Sequence, residues 1–237
     1  MALSLEGIKF ARYCQNMVRN TIFNYRKLLA LEREDLAGDV LTVARRIGVA
    51  PVMVIRQLLK LDGFTKREVK DIIDGTVPPP DAYQESLTIA LENDPVFSPT
   101  GVHYSKERGQ TGEILIEDWL DSICIGCERD PGIGGPDLLL KTPLKLIISG
   151  VEKEIDWIES KASYGDAFVL KQDSAQFDKY ELYGNGLILY WFGIGCDTKY
   201  LIITWREMLD LVNDSLKKRI QAFISFVPQE FKHLIRY

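Results

Sequence analysis

Apolar residues recur at spacings of three and four over residues 23–31 and 41–61, the pattern of helices that bury one face. Thr65-Lys66-Arg67-Glu68 reads as a capping box, in which the threonine hydroxyl accepts from the Glu68 backbone NH and the glutamate reaches back. The helix it opens is expected to stop at Gly75. Farther along the period changes. The pattern predicts a helix over 105–123, strands over 137–140, 144–149 and 154–162, and a helix over 172–183. The nearly unbroken apolar run 186–194 predicts a strand buried on both faces. Another strand is expected over 200–204, and Thr204-Trp205-Arg206-Glu207 is a second capping box, opening a helix to about Lys218. The order α-β-β-β-α-β-β-α predicts a mixed sheet flanked by helices.

Between the two regimes lie Val77-Pro78-Pro79-Pro80-Asp81, Asn93-Asp94-Pro95 and Ser98-Pro99-Thr100-Gly101. Proline removes a donor and fixes φ, so this stretch is neither one helix nor a central strand. The expected organisation is a helical domain over 1–76, a linker or docking arm over 77–101 with a short helix over 81–91, and a mixed α/β domain over 102–237. Residues 40–59 fit a helix-turn-helix. Ala44 sits where the helices would touch, Gly48 in the turn, Val43, Ile47, Val49 and Val54 as anchors, and Pro51 at the first position of the second helix. Gln57 departs from that pattern, standing where an apolar residue is common. Arg56 and Lys60 share a face, and Arg45 and Arg46 are further candidates to reach phosphates, through contacts that would weaken with salt. DNA contact and docking of a protein partner both stay open for this domain.

The net charge of -5 gives no hint of a nucleic-acid partner, but it is unevenly spread. Residues 1–75 carry 13 Lys and Arg against 9 Asp and Glu, whereas 76–237 carry 16 against 25. Carboxylates that hold a metal ion count as negative only until the ion arrives. With 46% hydrophobic and 27% charged residues, the composition excludes a disordered, collagen-like or rod-like chain. No apolar run approaches the ~18 residues of a membrane span, so no membrane partner is expected. The segment 1–6 lacks the basic-then-apolar pattern of a secretory leader. Four scattered cysteines suit a reducing interior, which makes the expected location intracellular: cytoplasmic, or nuclear in a eukaryotic host. Cys124 and Cys127 form a lone CxxC with no second pair, read as two buried thiols and not a zinc site. The run Gly132-Ile133-Gly134-Gly135 precedes a strand, not a helix, and so does not suggest a phosphate cradle.

The informative residues are Gly135-Pro136-Asp137 and Glu159-Ser160-Lys161. Residues two apart in a strand share a face, so Glu159 and Lys161 project together, with Trp157 and Ile155 as expected neighbours. A turn at Ile148-Ser149-Gly150 would fold the strands antiparallel and bring Asp137 beside Glu159. Two adjacent carboxylates repel, and either one protonates or a divalent cation resolves the conflict. Hard oxygen ligands of this kind suit Mg²⁺ or Mn²⁺. The competing reading is a plain ion pair between Glu159 and Lys161, worth little on an exposed edge.

This constellation resembles the PD-(D/E)XK nuclease superfamily, the restriction-endonuclease-like fold. The resemblance implies an α-β-β-β-α-β core, Asp137 and Glu159 as metal ligands, Lys161 as catalytic lysine and the Ser160 carbonyl as a further ligand. It also implies a metal-ligating glutamate on the preceding helix, matched by Glu113, and a Gln-x-x-x-Tyr pattern on the following helix, matched by Gln176 and Tyr180. The longer string Trp157-Ile158-Glu159-Ser160-Lys161-Ala162-Ser163-Tyr164-Gly165-Asp166, with 186–193, is similar to the codanin-interacting nuclease family, named for a Thr-Pro-Asp motif. Gly135 stands here in place of that threonine. The expected function is Mg²⁺- or Mn²⁺-dependent hydrolysis of DNA phosphodiesters, with the helix-turn-helix aiding binding. The alternatives are an inactive DNA-binding or scaffold protein that keeps the fold, and a nuclease acting on RNA. A homodimer through the apolar segment 222–227 also stays open.

Overall fold

The computed structural model describes residues 4–129, 131–132, 134–148 and 150–235. The chain forms two compact units, one from residues 1–11 and 107–226, the other from 12–106 and 227–237. The fold is mixed α/β, with a five-stranded sheet and an N-terminal helical region. Among the described residues no helix is long and apolar enough to cross a membrane.

The helical unit contains most of α1 (Glu6–Leu29), then α2 (Val40–Ile47), α3 (Pro51–Leu61), α4 (Lys66–Ile73), α5 (Gln84–Glu92) and the first turns of α6 (Pro99–Ser122). Asp39 caps α2 by accepting from Thr42 N at 2.7 Å, and Gly48 ends it at φ 81°, a left-handed value that favours glycine. The turn into α3 is fastened by two buried polar side chains. Thr21 Oγ1 accepts from Ala50 N at 2.9 Å, and Asp94 accepts from Val52 N at 3.1 Å and Phe97 N at 2.7 Å. The capping box at Thr65 forms as the sequence predicts, with Thr65 N donating to Glu68 Oε2 at 2.7 Å. The segment 77–101, read above as a linker or arm, lies inside this unit: Tyr83, Leu87 and Ala90 are buried in one core with Val52, Ile55, Leu59 and Ile72.

The second unit holds a sheet ordered β1-β2-β3-β4-β5. These strands are β1 (Cys127–Arg129), β2 (Leu138–Ile148), β3 (Val151–Lys161), β4 (Gly186–Tyr190) and β5 (Ile202–Thr204). The first three pair antiparallel, and β3, β4 and β5 pair parallel. A parallel neighbour requires a crossover, which α7 (Ala167–Tyr180) supplies between β3 and β4. Both faces of β4 are covered. Leu187 and Leu189 join Ile158 and the α6 residues Ile116, Trp119 and Leu120, whereas Ile188 and Tyr190 join Trp157 with Val169, Phe177 and Tyr180 of α7. That double burial is why β4 reads as a continuous apolar run.

Several expectations need correction. The segments 137–140 and 144–149 belong to one strand, β2, whose pairing with β3 slips between Leu139 and Leu144. Lys141, Thr142 and Pro143 are all exposed there, and Pro143 lacks a ladder donor; the sequence signal of a break is a local irregularity. The same slip carries Ile155 into the core of Ile158 instead of beside Trp157. The three-residue β1 went unseen. Helix α7 starts at Ala167 because Asp166 caps it, accepting from Phe168 N at 3.0 Å and Val169 N at 2.9 Å. The helix expected from Thr204 to Lys218 is two helices, α8 (Trp205–Leu211) and α9 (Asp214–Ser225), because Asn213 caps a new start through Leu216 N at 3.0 Å. Cys124 is exposed and Cys127 half-buried, not two buried thiols. Of the β2–β3 turn, Gly150 has φ 77° and Ser149 lies outside the described residues, as does Ile133 in the glycine run.

Candidate active site

The antiparallel register sets Leu138 opposite Ile158, and one step further Asp137 meets Glu159. There the side chains take over from the main-chain ladder. Ser160 N donates to Asp137 Oδ2 at 2.8 Å, and Asp137 N donates to Glu159 Oε2 at 3.1 Å. Glu159 is only 1% exposed. Its other oxygen accepts from Lys161 Nζ at 2.6 Å and from Gln176 Nε2 at 3.2 Å. Lys161 also donates to Gln176 Oε1 at 3.1 Å, and its ammonium lies 5.6 Å from the centre of the Phe177 ring. The Gln176 amide donates in turn to the Tyr180 hydroxyl, one helical turn on. Asp137, Glu159, Ser160, Lys161, Gln176 and Tyr180 thus form one connected set, built from a hairpin and the crossover helix.

Electrostatics follow from burial. The Asp137 carboxyl is pushed up to about 7, first by desolvation and then by the Glu159 charge, against the pull of the Ser160 NH and the Lys161 ammonium. Burial also raises Glu159, although Lys161 opposes it. Tyr180 rises to about 12, by burial and then by the Glu159 charge, so its phenol stays protonated near neutrality.

Among the described residues no three His, Cys, Asp or Glu side chains converge as a ready-made metal site. The set nevertheless fits a hard cation of the kind that binds through one or two carboxylates and keeps its waters for a phosphate ligand. Asp137 and Glu159 are hard oxygen donors; burial raises both, and the Glu159 charge raises Asp137 further, a cost that a divalent ion removes. Glu113 lies close enough to raise Asp137 further, but its carboxylate is held by Arg129, whose guanidinium also lies 3.6 Å from Glu117.

Sequence reasoning missed four contributors. Asp173, on α7 one turn before Gln176, raises Glu159 and accepts from the Tyr190 hydroxyl at 2.6 Å. Trp191 Nε1 donates to Ser160 Oγ at 3.0 Å. Gly112 allows α6 to approach this pair: a Cβ there would lie 2.6 Å from Trp191 Nε1 and 2.9 Å from Ser160 Oγ. Arg129 was unseen with its strand. The spacing of Asp173 to Gln176 was the one local signal available; the rest are long-range contacts.

The four candidate nucleic-acid contacts of the helical unit do not gather in one place. The Arg46 guanidinium is bonded to the Asp35 carbonyl, and Arg45 lines a cleft of about 410 Å³ with Tyr13, Asn16, Asn20 and Asn93. Arg56 and Lys60 instead line a different groove.

The sequence profile of a family described as "Protein of unknown function TPD sequence-motif" matches residues 80–203, just over half of the chain. The chain belongs to that family. No curated protein matches it, and no solved structure does.

Proposed function

We propose that the chain is a metal-dependent nuclease of the PD-(D/E)XK type, with a restriction-endonuclease-like core formed by α6, the sheet and α7. The observation that carries this reading is the joining of Asp137, Glu159 and Lys161 through direct hydrogen bonds at the ends of two paired strands. Mg²⁺ or Mn²⁺, held by Asp137 and Glu159 with the Ser160 carbonyl and Glu113 as further candidates, would lower the pKa of water and neutralise phosphate charge. Lys161, 19% exposed, places an ammonium where negative charge develops on an attacked phosphodiester. Gln176 fixes the lysine from the other side, and the protonated Tyr180 hydroxyl fixes Gln176. DNA is the proposed substrate.

A second reading has one observation behind it. Asp137 and Glu159 each accept from a main-chain NH of the opposite strand, Ser160 N and Asp137 N, as expected of a clasp that closes the end of a sheet in a non-catalytic scaffold. Incubation of the full chain with single-stranded, duplex and branched DNA and with RNA, in Mg²⁺, Mn²⁺ or EDTA, separates the readings. Hydrolysis predicts metal-dependent cleavage that Lys161→Ala abolishes. A scaffold predicts no cleavage by either protein, and cleavage confined to RNA would reassign the substrate.

A further inference from the structure

In the helical unit, α3, α4 and the start of α6 border a groove of about 700 Å³. Arg56 and Lys60 of α3, Lys66 and Lys70 of α4, and Lys106 of α6 line it, against a single carboxylate, Asp74. Lys70 pairs with Asp74 at 2.8 Å. Lys60, Lys66 and Lys106 have no ion-pair partner among the described residues. Arg56 Nε is buried without a hydrogen-bond partner, so this guanidinium is partly desolvated, and its charge also pulls on the buried Asp94 carboxylate. The remaining wall is mostly apolar, with the half-buried Tyr25 and Phe97 rings, and includes the His103 imidazole.

We infer that this groove holds a single-stranded, phosphate-linked chain, its cations on the backbone and its aromatic rings beneath the bases. This rests on the nucleic-acid reading of the preceding section and names the form of the strand. Cations along a concave surface with interleaved aromatic rings are what an unpaired strand requires, because every base presents a π-face once it is unstacked. A duplex is poorly served. Major-groove recognition needs a helix that projects, yet α3 buries Pro51, Val52, Val54, Ile55, Gln57 and Leu59 and exposes only Lys60 and Leu61. The second helix of the helix-turn-helix therefore borders a trough in place of inserting into a groove of DNA. The volume falls within the ~300–1,000 Å³ of pockets that enclose a small ligand, room for one or two unstacked bases with the phosphates of the longer strand running along the rim, and too little for a double helix.

The test is fluorescence anisotropy of the full chain with a labelled oligothymidine, an oligouridine and a hairpin duplex, in EDTA, at several salt concentrations. Four phosphates neutralised by Arg56, Lys60, Lys66 and Lys106 predict that log K falls with log salt at a slope of about -2.8. The double variant Lys60→Gln/Lys106→Gln, at two exposed positions, is expected to flatten that slope by about 1.4 with its far-ultraviolet dichroism unchanged. Lys218→Gln, in the other unit, is expected to leave it as it was. Oligothymidine and oligouridine binding distinguishes a DNA strand from an RNA strand, and either supports the groove. Absence of binding, tighter binding of the duplex, or equal slopes for the double variant and wild type overturns it. Cleavage of the same oligonucleotides with Mn²⁺ is scored separately. Cleavage with unaltered binding by the double variant would remove the groove and leave hydrolysis standing, whereas groove-dependent binding without cleavage would do the reverse.

Discussion

Replacing Lys161 by methionine keeps most of the side-chain volume and removes the charge. Glu159, 1% exposed, then loses its strongest partner, the ammonium at 2.6 Å, and keeps only the Gln176 amide and the Asp137 NH. A buried carboxylate stripped of its counter-ion costs about 3–5 kcal/mol. It escapes that cost by binding a proton, so its folded pKa rises further above the unfolded value. For an acid raised in this way, stability is greatest where the folded group is protonated and falls as pH climbs from the unfolded pKa to the folded one. The loss in Lys161→Met is therefore expected to be largest at pH 8 and to shrink by about 1.4 kcal/mol per pH unit for each carboxylate that takes up a proton. Asp137 contributes to the same slope, because Lys161 also lowers it. All four tryptophans, Trp119, Trp157, Trp191 and Trp205, lie in the α/β unit, so urea unfolding followed by tryptophan fluorescence reads that unit alone. Adding Glu159→Gln to the methionine variant is expected to remove most of the pH dependence. A loss of equal size at pH 5 and pH 8 would exclude the lost ion pair as its cause and leave only a packing effect.

Gly112→Ala forces a methyl against Trp191 and the Ser160 hydroxyl; overpacking of this kind costs about 1–3 kcal/mol, more than the ~1 kcal/mol that alanine gains in a helix. It is expected to lower the fluorescence midpoint and to slow cleavage. Gly186→Ala places a Cβ 2.0 Å from the Trp157 ring, and the α/β unit is expected to lose about 3 kcal/mol or more by the same measurement. Tyr180→Phe removes only the acceptor of the Gln176 amide, so a stability change of about 1 kcal/mol is expected, together with a drop in kcat that leaves KM near wild type.

The sequence carried whatever local rules govern. Both capping boxes, the left-handed Gly48 and the antiparallel return of β3 on β2 follow from residues a few positions apart. The convergence of Asp137, Glu159 and Lys161 needed just one hairpin and the two-residue repeat of a strand. Gln176 and Tyr180 were pointed to by the resemblance and its Gln-x-x-x-Tyr pattern; helical spacing then sets them on one face, and the crossover between β3 and β4 brings that face to Lys161. What stayed hidden depends on partners far along the chain. β1 is three residues long and exists because β2 pairs with it. β2 runs through Pro143 because long-range pairing on either side outweighs one missing donor. Asp173 meets Tyr190, Trp191 meets Ser160 and Arg129 meets Glu113 across different elements, and no spacing rule connects them. Arg45, Arg46, Arg56 and Lys60 look alike in sequence, yet the packing of α2 and α3 gives them different surroundings.

The proposed hydrolysis requires that Asp137 and Glu159 together hold a divalent cation. Titration of the full chain with Mn²⁺, followed by the loss of the free-ion electron paramagnetic resonance signal, tests it most directly. One site is expected, abolished by Asp137→Asn and by Glu159→Gln. Because the Asp137 proton must leave from a carboxyl at about 7, its affinity should weaken about tenfold between pH 6 and pH 5. Mn²⁺ binding that is absent in the wild type, or equally strong in both variants, would contradict it.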